Sequence, residues 1–330
     1  MKVLFRGLFL IFLLFLVMTD FTPLSAQAQA QRSVTPFKVK VFVITMFALE
    51  AQKWLAQEHF TRTFSVTGAD NPVQCTNHGL CLTITGVDKT NAATSMTAIL
   101  GDPQFSFQKA YFLTAGTAST SPTRGTLGLA AWASWIVDWD QGFHINSADV
   151  STNPYGYIAP ATTYRDSTSV FHLNEKLVDL AYSLTSHLTL QDSAAAQAQR
   201  QLYPQQLGLL PHVARCDTLS GDNIWVGSAF SAEAQYITSQ LTKSIGNNCT
   251  YEQEDTAVAT ALKRFGYLDR YLDLRGTSAF DQPYPGQSAS DFITAHFRAN
   301  DIATANLYLV GSIVAHYLLG HSEASIHYHF

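Results

Sequence analysis

Charge is scarce in this chain. Only 14% of its 330 residues are Asp, Glu, Lys or Arg, against 47% hydrophobic, and the net charge is −5. Polyanion binding draws on a basic excess, so nothing in the charge suggests a nucleic-acid or anionic-membrane partner, and no nucleic acid is expected. Cysteine is also sparse: Cys75, Cys81, Cys216 and Cys249 follow no zinc-binding spacing, which argues against a metal site. Long apolar runs are few. The run "LFLIFLLFLVM" (Leu8 to Met18) falls short of the ~20 residues that cross a bilayer. "IATANLYLVGSIVAHYLLG" (Ile302 to Gly320) approaches that length, but Thr304, Asn306, Ser312 and His316 are expensive in hydrocarbon. It reads as a buried C-terminal helix, leaving no stable membrane span. No linker rich in Pro, Gly or Ser divides the remainder into domains.

What is present begins with a targeting segment. Lys2 and Arg6 give a basic start, the apolar run follows, and "SAQA" (Ser25 to Ala28) offers a small-residue cleavage site. Residues 1–28 are therefore expected to be a signal peptide and 29–330 one domain, exported to a periplasmic or extracellular space. An even number of cysteines suits disulfides in such a compartment. The histidines of "HSEASIHYHF" (His321 to Phe330), with His316, lie in a terminal tail without enforced ligand geometry. The sequon "NCT" (Asn248 to Thr250) contains a cysteine better used in a bridge.

Strand-like and helix-like segments then alternate. Val41 to Ile44 reads as a buried strand leading into a helix whose inward stripe is Phe47, Ala51, Trp54 and Leu55. Leu80 to Val87 reads as a strand and Lys89 to Gly101 as a helix. Lys109 to Ser119 is expected to be a strand running into a loop, and Leu127 to Asp140 a long strand region. Helical periodicity covers Phe171 to Leu188, Ser231 to Ser244 and Glu254 to Gly266, with Gly266 as a C-terminal cap. Pro211 to Gly227 and Arg270 to Ser290 each read as strand then loop. The order implies a three-layer α/β/α domain around a central mixed, largely parallel sheet. Its ligand crevice should lie beyond the carboxyl ends of the strands.

Two acids stand out at those ends. Glu50 lies on the apolar stripe of its helix, and Glu254 shares a face with Val258, Ala261, Leu262 and Phe265. Inward carboxylates suit chemistry on a neutral polyhydroxylated substrate. The alternative is that each caps a helix N-terminus.

In order along the chain, "VFVITMFALE", "TGVDKTNAA", "FLTAGTAS", "SGDNIW", "EQEDTA" and "RGTSAFD" resemble the strand-end motifs of the nucleoside phosphorylase and nucleosidase fold. Among these are its "SGIGKVAAA", "SGDxF", "xMEATA" and "RxISD" patterns. "KVFVITMFALEAQKW" and "RGTSAFDQPYPGQSA" further resemble the purine nucleoside permease family. The resemblance implies a purine nucleoside ligand, no cofactor, and either N-glycosidic cleavage or binding in support of uptake. Phosphorolysis is a further alternative, though "TMFALEAQKW" has neither Arg nor Gly, and Arg62 and Arg124 are isolated. A homo-oligomer is left open. By the same resemblance Glu50 activates water, Glu254 binds ribose hydroxyls, Ile224 and Trp225 flank the base, and Gly116 and Thr117 form the loop near the sugar. Ser278 would touch ligand. The family's acid follows that serine directly, where this chain has Ala279, so Asp281 is the nearest replacement. Disulfides are expected for Cys75–Cys81, which flank a short hairpin, and for Cys216–Cys249, on segments this fold makes neighbours.

Overall fold

The apolar run Val41–Thr45 forms β1, buried along its length, and it pairs in parallel with β2 (Leu80–Ile84) and β3 (Tyr111–Thr120). The computed structural model describes residues 35–149, 153, 155–159, 168–295 and 299–321. The expected signal peptide and the tail histidines beyond His321 lie outside them. Two helices fill the first crossovers, α1 (Ala48–Gln57) and α2 (Asp88–Gly101).

The segment expected as one long strand forms two, β4 (Ala130–Trp132) and β5 (Trp135–Asp138). The break has a tertiary cause. The buried Asp217 carboxylate accepts hydrogen bonds from the backbone of Ser134 and Trp135, drawing the chain aside between the two strands. Phe171 to Leu188 likewise divides, into a short strand Val170–His172 and helix α3 (Glu175–Thr185). β6 (Asp217–Ser220), α4 (Ser228–Leu241), β7 (Asn248–Glu252), α5 (Asp255–Arg264), β8 (Tyr271–Phe280) and α6 (Asn300–Gly320) complete the frame.

The main sheet runs β5-β6-β7-β3-β1-β2 through its centre, with β8 branching from β3. Along that path the pairings are parallel except β7 with β3; β8 is parallel to β3 and antiparallel to β4, and the edge strands Val73–Cys75 and Val170–His172 pair antiparallel with β2 and β5. With α1, α3 and α6 packed together and α2 against α5, the chain has the expected three-layer α/β/α architecture. α6 is long and apolar enough to cross a membrane, but its Ile302, Ala303, Leu307, Val310 and Val314 are buried against the sheet and α1. It is the core helix expected from its polar residues.

Both disulfides are present. Cys75–Cys81 ties β2 to its antiparallel neighbour Val73–Cys75, and Cys216–Cys249 ties the start of β6 to β7, with Cα atoms 4.1 and 5.7 Å apart. Three expectations of detail fail. Leu55 is 37% exposed and Phe265 38% exposed, because the inward faces of these short helices are already filled by Ala51 and Trp54, and by Val258 and Leu262. The expected loop after the strand does not begin at Ala115: β3 continues to Thr120, because β8 pairs with it as far as Phe280, with one register shift at Ser278. Gly266 does cap α5, with φ +79° and its N–H donating to Lys263 O.

Candidate functional site

β8 shows how the sequence builds the site. In "YLDLRG", Leu272, Leu274 and Gly276 alternate with Tyr271, Asp273 and Arg275, and alternate strand residues face opposite sides of the sheet. Gly276 lies against Leu307 of α6. The polar set faces the other way, and all of it is buried. Arg275 is thus delivered beneath the carboxyl ends of β3 and β7.

Four acids converge on that guanidinium. Asp255 takes it with both oxygens, from Nε and Nη2, each at 2.7 Å. Glu252 Oε2 accepts from Nη2 at 3.0 Å, and Glu254 Oε2 from Nη1 and Nη2 at 3.3 Å. Asp273 Oδ1 is 3.6 Å from Nε and receives no hydrogen bond among the described residues. Nη1 also donates to Thr117 O at 3.0 Å. Gly116 makes this approach feasible, since a Cβ there would lie 2.5 Å from Nη1.

Above the cluster opens a cavity of about 420 Å³. Its wall includes an acidic group, Glu50, Thr117, Glu252 and Glu254, gathered around Arg275, and a second group in which the rings of Trp225 and Tyr251 lie 4.7 Å apart near Asp281; Phe292 lines it as well. Glu50 Oε1 accepts from Thr117 N (2.6 Å) and Oγ1 (2.9 Å), and Oε2 accepts from Met46 N (2.7 Å). Burial raises its pKa, opposed by the Arg275 charge and these hydrogen bonds. Glu254 Oε1 accepts the backbone N–H of Asp88, a residue held at φ +73°. Burial is also the main reason Glu254 is pushed up to about 8, opposed by Arg275 and reinforced by the charges of Glu252 and Glu50. Glu252 rises to about 7, through burial and then the Asp255 charge.

The capping alternative resolves between neighbours. Glu254 is the N-cap of α5 but makes no capping bond; Glu252 Oε2 instead accepts from the backbone N–H groups of Glu254 and Asp255. Glu50 sits inside α1 and reaches back to Met46 N, so it both ties down the helix start and faces the cavity.

Also in the cavity wall, Asp281 accepts from Ser231 Oγ through Oδ2, while its buried Oδ1 has no partner among the described residues. Burial lifts it to about 7, opposed by the Ser231 bond. Trp225 stacks on Trp139 with centroids 5.5 Å apart, and Ile224 stands 78% exposed at the mouth. Of the sequence-derived residues, Glu50, Thr117, Ile224, Trp225, Glu254, Ser278 and Asp281 line this cavity. Gly116 does not line it; it packs on Arg275 from within β3. Arg62 and Arg124 bond Asn77 and Asn247 and lie elsewhere. His316 pairs with Glu58 on the opposite helical layer. Sequence reasoning missed Glu252, Asp255, Asp273 and Arg275. Their signal was three acids in "EQED" and charges alternating with leucine in "YLDLRG".

The purine nucleoside permease family model matches residues 38–326. The "probable purine nucleoside permease" of Schizosaccharomyces pombe is 30% identical over 338 residues, 93% of this chain and 96% of that one. The purine nucleoside permease of Candida albicans is 31% identical over 317 residues, covering 88% and 77%. Among solved structures, the 5'-methylthioadenosine/S-adenosylhomocysteine nucleosidase of Neisseria meningitidis, in complex with methylthio-immucillin-A, superposes with a TM-score of 0.53. It shares 16% identity over 84% of this chain and 98% of that one. The Campylobacter jejuni nucleosidase gives 0.55 at 15% identity, covering 86% and 100%. At these identities the likeness is one of fold.

Proposed function

This chain belongs to the purine nucleoside permease family, and from that premise we propose that it binds purine nucleosides in the strand-end cavity and hydrolyses their N-glycosidic bond. The observation that carries the reading is the pair Glu50 and Glu254, both buried and lining a cavity whose wall also includes Trp225, Tyr251 and Asp281. A ribose beside the acidic group would donate hydrogen bonds from its hydroxyls to Glu254, since carboxylate oxygens are acceptors. Glu50, with a pKa raised by burial, would orient a water and take its proton as the water attacks the anomeric carbon. The departing purine would meet the open oxygen of Asp281, whose pKa, pushed up to about 7 by burial, lets it carry a proton to share with the ring. Ile224 and Trp225 would bound the base, Trp225 through its ring face.

Water is favoured over phosphate as nucleophile. No Lys or Arg is among the described lining residues, and Arg275 already spends its donors on Thr117, Glu252, Glu254 and Asp255. A phosphate dianion would face Glu50, Glu252 and Glu254 instead. Ala279, on the cavity wall where the family pattern has an acid, favours a second reading, nucleoside binding without cleavage. Export is part of the proposal, because both disulfides suit an oxidising compartment. Such a protein would assist uptake by capturing or cleaving nucleosides outside the cell membrane.

Incubation with inosine and with adenosine, with and without phosphate, tests this when combined with calorimetric titration. Free base and ribose at phosphate-independent rates are expected. Ribose-1-phosphate would replace hydrolysis by phosphorolysis, and binding without product would select the second reading. Absence of binding at millimolar nucleoside would overturn both.

A further inference from the structure

One cation serves the buried acids beneath the cavity, and it serves them unequally. Asp255 takes Arg275 by two bonds of 2.7 Å, within the range of strong charge-assisted pairs. Glu254 shares both Nη groups through a single oxygen at 3.3 Å, beyond the usual 3.2 Å for N–H···O. The grip of Asp255 is itself braced. Tyr271 donates to its Oδ1 at 3.2 Å, and Thr114 Oγ1 lies 2.6 Å from that hydroxyl.

We propose that Asp255 is a positioning residue that holds Arg275 away from Glu254, so that Glu254 stays free to exchange a proton for the hydroxyls of a sugar. The inference rests on the reading of Glu254 as the sugar-binding carboxylate. Every charged group facing Glu254 fits this role. Glu50 on α1, Glu252 on β7 and Asp255 on α5 repel a second negative charge there. Asp273 on β8 adds a further buried acid beneath Arg275. Among the described residues, only the Asp88 N–H and the long contacts to Arg275 support the anion. The pKa pushed up to about 8 agrees with that geometry. A protonated Glu254 gives up part of its acceptor capacity and the charge that strengthens the rest. Affinity for a ribosyl ligand therefore rises as pH rises through the Glu254 titration. If Asp255 loses its charge, Arg275 turns to Glu254, the anion is stabilised, and that rise moves to lower pH.

The test is carbon-13 NMR of glutamate side-chain carboxyls in the full, unliganded protein, with the Glu254 signal assigned by its loss in Glu254→Gln. In Asp255→Asn the Glu254 midpoint is expected to fall by about one pH unit or more, the usual effect of a guanidinium drawn to a carboxylate. Asp255→Ser, which lacks the second donor that Asn would bring to Arg275, should move it the same way. An unmoved midpoint in a folded variant overturns the proposal, because a purely structural Asp255 would change stability and leave the titration alone. Calorimetry with inosine across the same pH range is the second arm. The pH at which affinity rises should fall together with the NMR midpoint. A shifted midpoint with no inosine binding at any pH would uphold the clamp and remove the nucleoside reading of the cavity.

Discussion

At the scale of single residues, Glu50 and Glu254 are both buried carboxylates in the cavity wall, yet their surroundings give them different work. Glu50 is fixed by three donors from Met46 and Thr117, which leaves little freedom except to aim a water. Glu254 is held loosely, as a group that must rearrange around a ligand would be. Glu50→Gln is therefore expected to keep nucleoside affinity within a few-fold while lowering turnover by ~10²–10⁴, the usual worth of a general base. Glu254→Ala should weaken binding first, because it removes contacts made in the ground state as well. Steady-state kinetics beside calorimetry separate the two, and normal turnover by Glu50→Gln would reduce that residue to a helix anchor. Asp281 makes a different prediction. Its open oxygen matters only for a base that must be protonated as it leaves. Asp281→Ala should then slow inosine hydrolysis far more than hydrolysis of a ribosyl substrate with an activated leaving group. Equal losses would mean that Asp281 shapes the wall through its bond to Ser231.

At the scale of elements, β8 joins the core to the site, because one alternating strand packs leucines on α6 and points Arg275 at the acids. Gly276 sets how closely those layers approach: a Cβ there would stand 2.7 Å from Leu307 Cγ and 3.0 Å from Ala303 O. Gly276→Val should destabilise the protein by about 1–3 kcal/mol, as overpacked cores do. Gly320→Ala, at the open end of α6 with nothing within 4 Å, should not destabilise it. Urea unfolding of both variants measures the difference. Elements of this kind were legible in the sequence where local pattern decides them. The apolar run of β1 gave its strand, and an acid on an apolar stripe marked Glu50 as unusual. The order of strand-end motifs placed most of the cavity wall. What stayed hidden depends on distant partners. Nothing within Leu127 to Asp140 announces the break between β4 and β5, because Asp217 imposes it from another strand. Arg275, Asp255 and Asp273 read locally as ordinary charges, since only folding brings them within one buried cluster.

At the scale of the whole molecule, that cluster couples folding to protons. Glu252 and Asp281 are pushed up to about 7 and Glu254 to about 8, whereas the same side chains in an unfolded chain titrate near 4. A raised carboxyl binds its proton more tightly in the native state. Between about pH 4 and 8 the folded protein thus holds more protons than the unfolded chain, and stability must fall as pH rises through that window. The contribution is fully present below about pH 4 and lost as these groups ionise in the fold. Glu175 and Asp192 act with the opposite sign. Burial opposes their ionisation, but hydrogen bonds from His172 and Arg215 to the first, and from Arg200 to the second, outweigh it and lower their pKa values. Their stabilisation is lost only on acidification below about pH 4. The balance places maximal stability on the mildly acidic side of neutrality. Thermal unfolding of the unliganded protein at constant salt should show a Tm several degrees lower at about pH 8.5 than at about pH 5.5, since ~1 kcal/mol moves Tm by about 2–4 °C in a chain approaching this size. The drop should shrink in Glu254→Gln, which has no proton to lose and leaves Arg275 to the remaining acids. A Tm that holds or rises across that range would mean that Arg275 already keeps these carboxylates ionised, and that the cavity floor carries its full negative charge at neutral pH.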